Sequence, residues 1–189
     1  MDDNGFEELL GSMKRAAGAL RDAEIPFALG GGLAVWARGG PRTEHDVDFF
    51  VKPEDAQRAQ TILTSIGMRA ERPPEGWLLK AYDGDILIDL IFEPRGGPVD
   101  DEFIGRAEDL DVYAVTMPVA SLEDVLVTKL LALNEQNLDY AAPLETARAV
   151  REQLDWDVVR RRTDESPYAK AFLTLVEELG IAPAPVTDI

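Results

Sequence analysis

Asp46 and Asp48 stand one residue apart at the head of the apolar segment DVDFFV. Side chains alternate between faces along a strand, so Asp46, Asp48 and Phe50 point one way and Val47, Phe49 and Val51 the other. Two carboxylates on one face of a buried strand repel each other, and burying them uncompensated costs several kcal/mol. A hard divalent cation removes that cost, because Mg²⁺ takes oxygen ligands, commonly one or two carboxylates together with substrate phosphates. A third acid, Asp89, interrupts ILIDLIF, which is otherwise apolar on both faces. An ordinary buried strand has no use for a carboxylate at its centre. If the two strands are neighbours, the three acids form a cluster able to hold two divalent ions about 3.5–4 Å apart, suited to in-line displacement at phosphorus.

Two further features belong to the same chemistry. Gly30, Gly31 and Gly32 fall at a strand end just before a helix, where backbone N–H groups can approach phosphate oxygens closely. The run is neither G-x-G-x-x-G nor a G-K-[ST] loop, and taken alone it is an ordinary strand-to-helix turn. Lys129 falls on the apolar stripe of its helix, formed by Leu122, Val125, Leu126, Leu130 and Leu133. It is either a snorkelling lysine at the core edge or a point charge aimed at a phosphate. The single histidine, His45, should face away from the aspartates, and a His-Asp metal site would need further histidines. A structural or solvent-facing role is expected for it.

The elements that must position these groups follow from periodicity. Residues 4–22 carry Phe6, Leu9, Leu10, Met13, Ala17 and Leu20 on one helical stripe. A buried strand is expected at 25–29, then a short helix after the glycines, then the strand HDVDFFV. Pro53 opens a helix that runs to about Ile66 and closes at Gly67. MRAER, WLLKAYD and ILIDLIF read as strands, with Asp83-Gly84 as a hairpin signal between the last two. A short helix near 99–107 precedes a strand over VYAVTMPV. From Ser121, the N-cap of the capping box SLED, the pattern is helical: about 121–134, 143–153, 155–162 and 167–179. The tail APAPVTDI is expected to be irregular. The pattern predicts an α+β fold in which residues 1–120 form a mixed-sheet core flanked by helices and 121–189 a helical region packed on it.

Composition narrows the function classes. A net charge of −17 repels phosphate backbones and anionic lipid; it disfavours nucleic acid as partner and suits a cationic small molecule or a basic protein. With no cysteine, disulfides and thiolate chemistry are excluded. No apolar run is long enough to span a bilayer, and the start MDDNGFEELL is acidic where a signal peptide would be basic, so a cytoplasmic location is expected. Arg160, Arg161 and Arg162 sit together on one helix, pointing in different directions, and read as a solvated face.

The combination GGGLAV, GGPRTEHDVDFFV and ILIDLIF, in this order, resembles the nucleotidyltransferases of the DNA-polymerase-β-like superfamily over roughly residues 25–150. The length and helical C-terminal part resemble its minimal bacterial members, which include antibiotic-modifying enzymes and toxins of toxin–antitoxin pairs. The resemblance implies a mixed-sheet nucleotidyltransferase core using Mg²⁺ (or Mn²⁺), with transfer of a nucleoside monophosphate from an NTP to an acceptor hydroxyl. It implies Asp46, Asp48 and Asp89 as metal ligands, with Asp89 also helping to deprotonate the acceptor. Gly31 and Gly32 would form the phosphate-binding turn, Lys129 would contact the triphosphate, and Arg42 and Thr43 occupy positions that precede the aspartates. One departure is that no basic residue follows the lysine helix in NEQNLDYAAPLE. The acceptor stays open between a small molecule of aminoglycoside type and tRNA. Two alternatives also stand: a metal-dependent glycosyltransferase, and a nucleotidyltransferase fold kept only for binding or regulation.

Overall fold

The computed structural model describes residues 3–43 and 46–184. The helix α1 (Asp3–Asp22) leads into β1 (Phe27–Leu29), the short α2 (Gly31–Trp36), β2 (Asp46–Val51) and α3 (Pro53–Ser65). Then come β3 (Arg69–Glu71), β4 (Leu78–Asp83), β5 (Ile86–Ile91) and α4 (Asp101–Gly105). A hairpin of β6 (Glu108–Val112) and β7 (Val115–Val119) precedes four helices, α5 (Leu122–Ala132), α6 (Ala141–Val150), α7 (Trp156–Arg162) and α8 (Pro167–Glu178). His45 and residues 185–189 of the tail lie outside the described residues.

All seven strands join one mixed sheet in the order β3-β4-β5-β2-β1-β7-β6. The pairs β2–β5 and β1–β7 are parallel, and the other four are antiparallel. This is the α+β architecture expected from the alternation of patterns. The predicted stripe of α1 is the one buried: Phe6, Leu9, Leu10, Met13, Ala17 and Leu20 are each at most 5% exposed. Helices α1 and α3 pack on each other and on β2 and β5, while α5 packs on α2, α6, α7 and α8. A single apolar cluster runs from Phe6 of α1 to Ala182 beyond α8, so the helical region shares its core with the sheet.

Local sequence explains most boundaries. Pro53 takes the first turn of α3, where its missing N–H costs nothing, and Gly67 (φ +94°) closes the segment. The β4–β5 turn is Gly84-Asp85 rather than Asp83-Gly84, since Asp83 still pairs with Ile86. Gly84 has φ +62° and Asp85 does not turn positive, which is the type II′ pattern with glycine first.

Two expectations are corrected. VYAVTMPV is not one strand: Val112 pairs with Val115, and Tyr113 (φ +48°) and Ala114 (φ +62°) form the turn. Positive φ at both central residues is the type I′ geometry, reached here without the glycine or asparagine that normally marks it. The arginines of α7 are likewise not all a solvated face. Arg160 pairs with Asp157 (2.8 Å) and Glu177 (2.9 Å), Arg162 with Asp124 (2.6 Å), and only Arg161 is exposed.

Candidate active site

The parallel pairing of β2 with β5 sets Asp48 directly opposite Asp89 and Asp46 opposite Leu87. Paired residues share a face, and Asp46 shares one with Asp48 by the two-residue period. The three acids therefore meet, with one carboxylate oxygen from each within 4.8 Å of the others. The parallel register requires that β5 return to the same side as β2, which is why residues so distant in sequence converge.

The cluster is electrostatically unsatisfied. Burial pushes the Asp48 carboxyl up to about 8, and the charges of Asp46 and then Asp89 add to it, against a smaller opposing pull from Lys129. Burial raises Asp89 to about 6; Lys80 opposes this, while Asp46 and Glu75 reinforce it. Among the described residues, Asp89 Oδ1 is the one buried side-chain oxygen or nitrogen without a hydrogen-bond partner. A buried polar atom is rarely left unpaired, and three carboxylates brought this close offer the hard oxygen donors that a divalent cation takes. The residues fit a Mg²⁺- or Mn²⁺-type ion.

The glycine turn is built against the acids. Gly30 N–H donates to Asp48 O (2.8 Å), tying the end of β1 to β2. Gly31 has φ +55°, and a Cβ there would lie 1.7 Å from Asp48 Oδ2. Glycine is thus required twice, by backbone conformation and by space. A Cβ on Gly32 would lie 2.6 Å from Thr43 Cβ and Oγ1, so Thr43 packs against the turn from outside. Arg42 goes elsewhere: its guanidinium lies 4.9 Å from the ring centroid of Phe6 in α1.

Gly31 and Asp48 open onto a cavity of about 520 Å³, whose far wall is α5 with Lys129. Lys129 is half-buried, and its charge is felt by Asp48, so the structure places it with the acids rather than in bulk water. Phe50, Ile91 and Trp77 supply an apolar wall, with Trp77 40% exposed. Three residues at the site carried no sequence signal of their role. Lys80, read only as part of a strand, is the direct β4 partner of Asp89 and shares its face. Trp77, at the start of the same segment, and Arg95, in the loop after β5, line the cavity. The row Lys80–Asp89–Asp48 was hidden because strand order is not written in any local pattern.

Among solved structures, the chain is similar to ANT(2")-Ia in complex with adenylyl-2"-tobramycin, at a TM-score of 0.55 and 17% identity, covering 90% of this chain and 98% of that one. It is similar to the lincosamide antibiotic adenylyltransferase LnuA in its lincomycin-bound form, with TM-score 0.52, 14% identity and coverage of 72% and 92%. A nucleotidyltransferase-type protein from Thermotoga maritima aligns at TM-score 0.54 and 17% identity, over 66% of this chain and 84% of its own. At these identities the likeness is one of fold, and the fold is that of a nucleotidyltransferase. No curated protein matches the sequence at a significant level.

The family model "Nucleotidyl transferase AbiEii toxin, Type IV TA system" matches residues 16–151, and the chain belongs to that family. It is an enzyme that transfers nucleotidyl groups. Membership removes the glycosyltransferase alternative, and the assembled acids give no support to a fold kept only for binding. Among the described residues, no helix is long and apolar enough to cross a membrane.

Proposed function

We propose that the enzyme transfers a nucleoside monophosphate from an NTP to an acceptor hydroxyl in a reaction that depends on a divalent cation. The observation that carries this reading is the cluster of Asp46, Asp48 and Asp89 around the unpartnered Asp89 Oδ1. Asp46 and Asp48 would hold Mg²⁺ or Mn²⁺ together with Asp89, and when bound the cation supplies charge neutralisation at the triphosphate and at the attacking oxygen. Gly31 and Gly32 would offer backbone N–H groups of the turn to phosphate oxygens, while Asp48 and Thr43 fill the space that side chains there would need. Lys129 orients the triphosphate as a point charge from the α5 wall. The acceptor hydroxyl gives its proton toward Asp89. The acceptor oxygen bonds to the α-phosphorus, the bond from that phosphorus to the bridging oxygen breaks, and the electron pair leaves with pyrophosphate. Thr43 supports the glycine turn, and Arg42 anchors the segment before β2 to α1.

The family description supports a toxin role for this activity, and the antibiotic-bound neighbours support a small-molecule acceptor only by fold. The charge of −17 favours a cationic small molecule over nucleic acid.

Titration calorimetry with Mg²⁺ and each NTP tests the site. Wild type is expected to bind only when the cation is present, and the Asp46→Ala/Asp48→Ala variant is expected to lose that binding; equal binding by both proteins defeats the assignment. Labelled NTPs offered with total tRNA or with a panel of aminoglycosides and lincosamides then decide the acceptor. Label found only in tRNA overturns the small-molecule reading.

A further inference from the structure

Arg95 lies in the loop PRGGP between β5 and α4, six positions after Asp89. Pro94 O accepts from Gly97 N (3.2 Å), which closes a turn with Arg95 at its tip. Gly96 (φ +111°) brings the loop so close to α5 that a Cβ would lie 2.6 Å from Leu131 Cδ1. Two prolines and this contact give the loop little freedom, so the exposed guanidinium is carried by a fixed support. Arg95 has no hydrogen bond or ion pair with any described residue, although this chain offers 36 acids.

Its position is more telling than its exposure. Arg95 lines the cavity that holds Asp48, Gly31 and Lys129. It also lines a second cavity of about 260 Å³, which shares Pro94, Arg95 and Thr128 with the first; Asp46, Asp48 and Asp89 do not reach it, and its own acids are Asp100 and Glu102. The second cavity is lined by two more arginines, Arg106 and Arg162, and both of these are already bound to Asp124. Arg95 therefore lines both cavities without an ion-pair partner among the described residues, although Glu93 lines the first with it and Asp100 and Glu102 the second. The segment after the lysine helix, 134–145, has no basic residue and contributes Asn134 and Asn137 to the cavity wall.

We propose that Arg95 binds the terminal phosphates of the NTP and holds the leaving pyrophosphate at the doorway between the two cavities. This rests on the nucleotidyl-transfer reading of the same site. As the bond from the α-phosphorus to the bridging oxygen breaks, the electron pair stays on pyrophosphate, and negative charge grows on the group that Arg95 would hold. A guanidinium meets two phosphate oxygens at once, which a lysine cannot do. Asp46, Asp48 and Asp89 thus serve the α-phosphorus, Lys129 the middle of the chain, and Arg95 its end.

The test separates this idea from the reading on which it rests. Calorimetry in Mg²⁺ compares wild type, Arg95→Met and Arg95→Lys against inorganic pyrophosphate and against the tightest-binding of ATP, GTP, CTP and UTP with its monophosphate. Loss of a charge-assisted pair should weaken triphosphate and pyrophosphate by roughly 10- to 100-fold in Arg95→Met, leave the monophosphate within about twofold, and be partly rescued in Arg95→Lys. An unchanged thermal transition shows that the exposed loop substitution leaves folding alone. If wild type binds no NTP, the functional reading itself fails. If wild type binds but Arg95→Met keeps wild-type affinity for pyrophosphate, or loses triphosphate and monophosphate equally, the role of Arg95 is overturned.

Discussion

The molecule buries carboxylates in two places and treats them oppositely. Asp124 of α5 is fully buried, and every demand it makes is met: Arg106 reaches it through Nε (3.0 Å) and a terminal nitrogen (2.9 Å), Arg162 through one (2.6 Å), and Ser121 Oγ donates to it at 2.8 Å. Burial alone would raise its pKa, but the hydrogen bonds from Arg106, Arg162 and Ser121 win, and the carboxyl is held below the usual range. Across the cavity, Asp48 and Asp89 are raised to about 8 and about 6, and Asp89 Oδ1 has no partner. The first arrangement is complete without a ligand and joins α4, α5 and α7. The second is stable only at the cost of holding protons, or with a cation that the chain itself does not provide. That contrast separates a buried acid satisfied within the chain from one left open to a ligand more sharply than burial does.

The largest test of the contrast is removal of each acid in turn. Asp124→Ala leaves two guanidinium groups facing a hole, and breaking such a buried pair costs about 3–5 kcal/mol. Urea or thermal unfolding should show a loss of that size. Asp89→Asn should leave the ion-free protein at least as stable as wild type while abolishing nucleotidyl transfer. A strongly destabilised Asp89→Asn protein would mean that its partnerless oxygen has been misjudged.

A smaller effect is expected at Gly31. Alanine there must hold a left-handed backbone, which costs about 1–2 kcal/mol, and its Cβ would displace Asp48 Oδ2. We expect Gly31→Ala to fold with a modest drop in melting temperature and to lose cation-dependent NTP binding by calorimetry. Gly67→Ala carries a similar backbone penalty (φ +94°) with no side chain in the way, and it should lose stability but keep binding. If both variants bind alike, the close approach of turn and carboxylate has no functional weight.

Much of this site was legible in the sequence because its signals are local violations. Two like charges at a two-residue spacing, and a carboxylate inside ILIDLIF, contradict the burial around them, and each violation marks a member of the acid cluster. The complementary features left no such trace. Asp124 sits at the third helical position after Ser121 and looked like the acid of a capping box; its arginine partners come from residues 106 and 162, which only tertiary structure brings near. The β6–β7 hairpin escaped because Tyr113-Ala114 has neither glycine nor asparagine, and the strands' pairing forces a left-handed backbone on both residues. Lys80 was read as one residue of a strand, since its pairing with Asp89 depends on register.

The subtlest separation of the two clusters is by pH. Burial and the neighbouring carboxylates raise Asp48 to about 8 and Asp89 to about 6, above the ordinary aspartate value of 3.8, so between about pH 4 and 8 the folded protein holds protons that the unfolded chain releases. Stability then falls as pH rises through that window, because the native state binds more protons than the unfolded one. Asp124 works in the other direction: its lowered pKa stabilises the fold above the usual carboxylate range, and that contribution is lost only as pH falls below it. The ion-free enzyme should therefore melt at lower temperature at pH 8 than at pH 5. The Asp48→Asn/Asp89→Asn protein should show a smaller decline, and subtracting the two curves removes the general repulsion of a chain with net charge −17. Mg²⁺ should raise the wild-type melting temperature more at pH 8 than at pH 6, because binding must displace fewer protons there. Parallel curves for wild type and the double variant would show that the acids of the cavity are as well satisfied as Asp124, and the distinction between the two clusters would collapse.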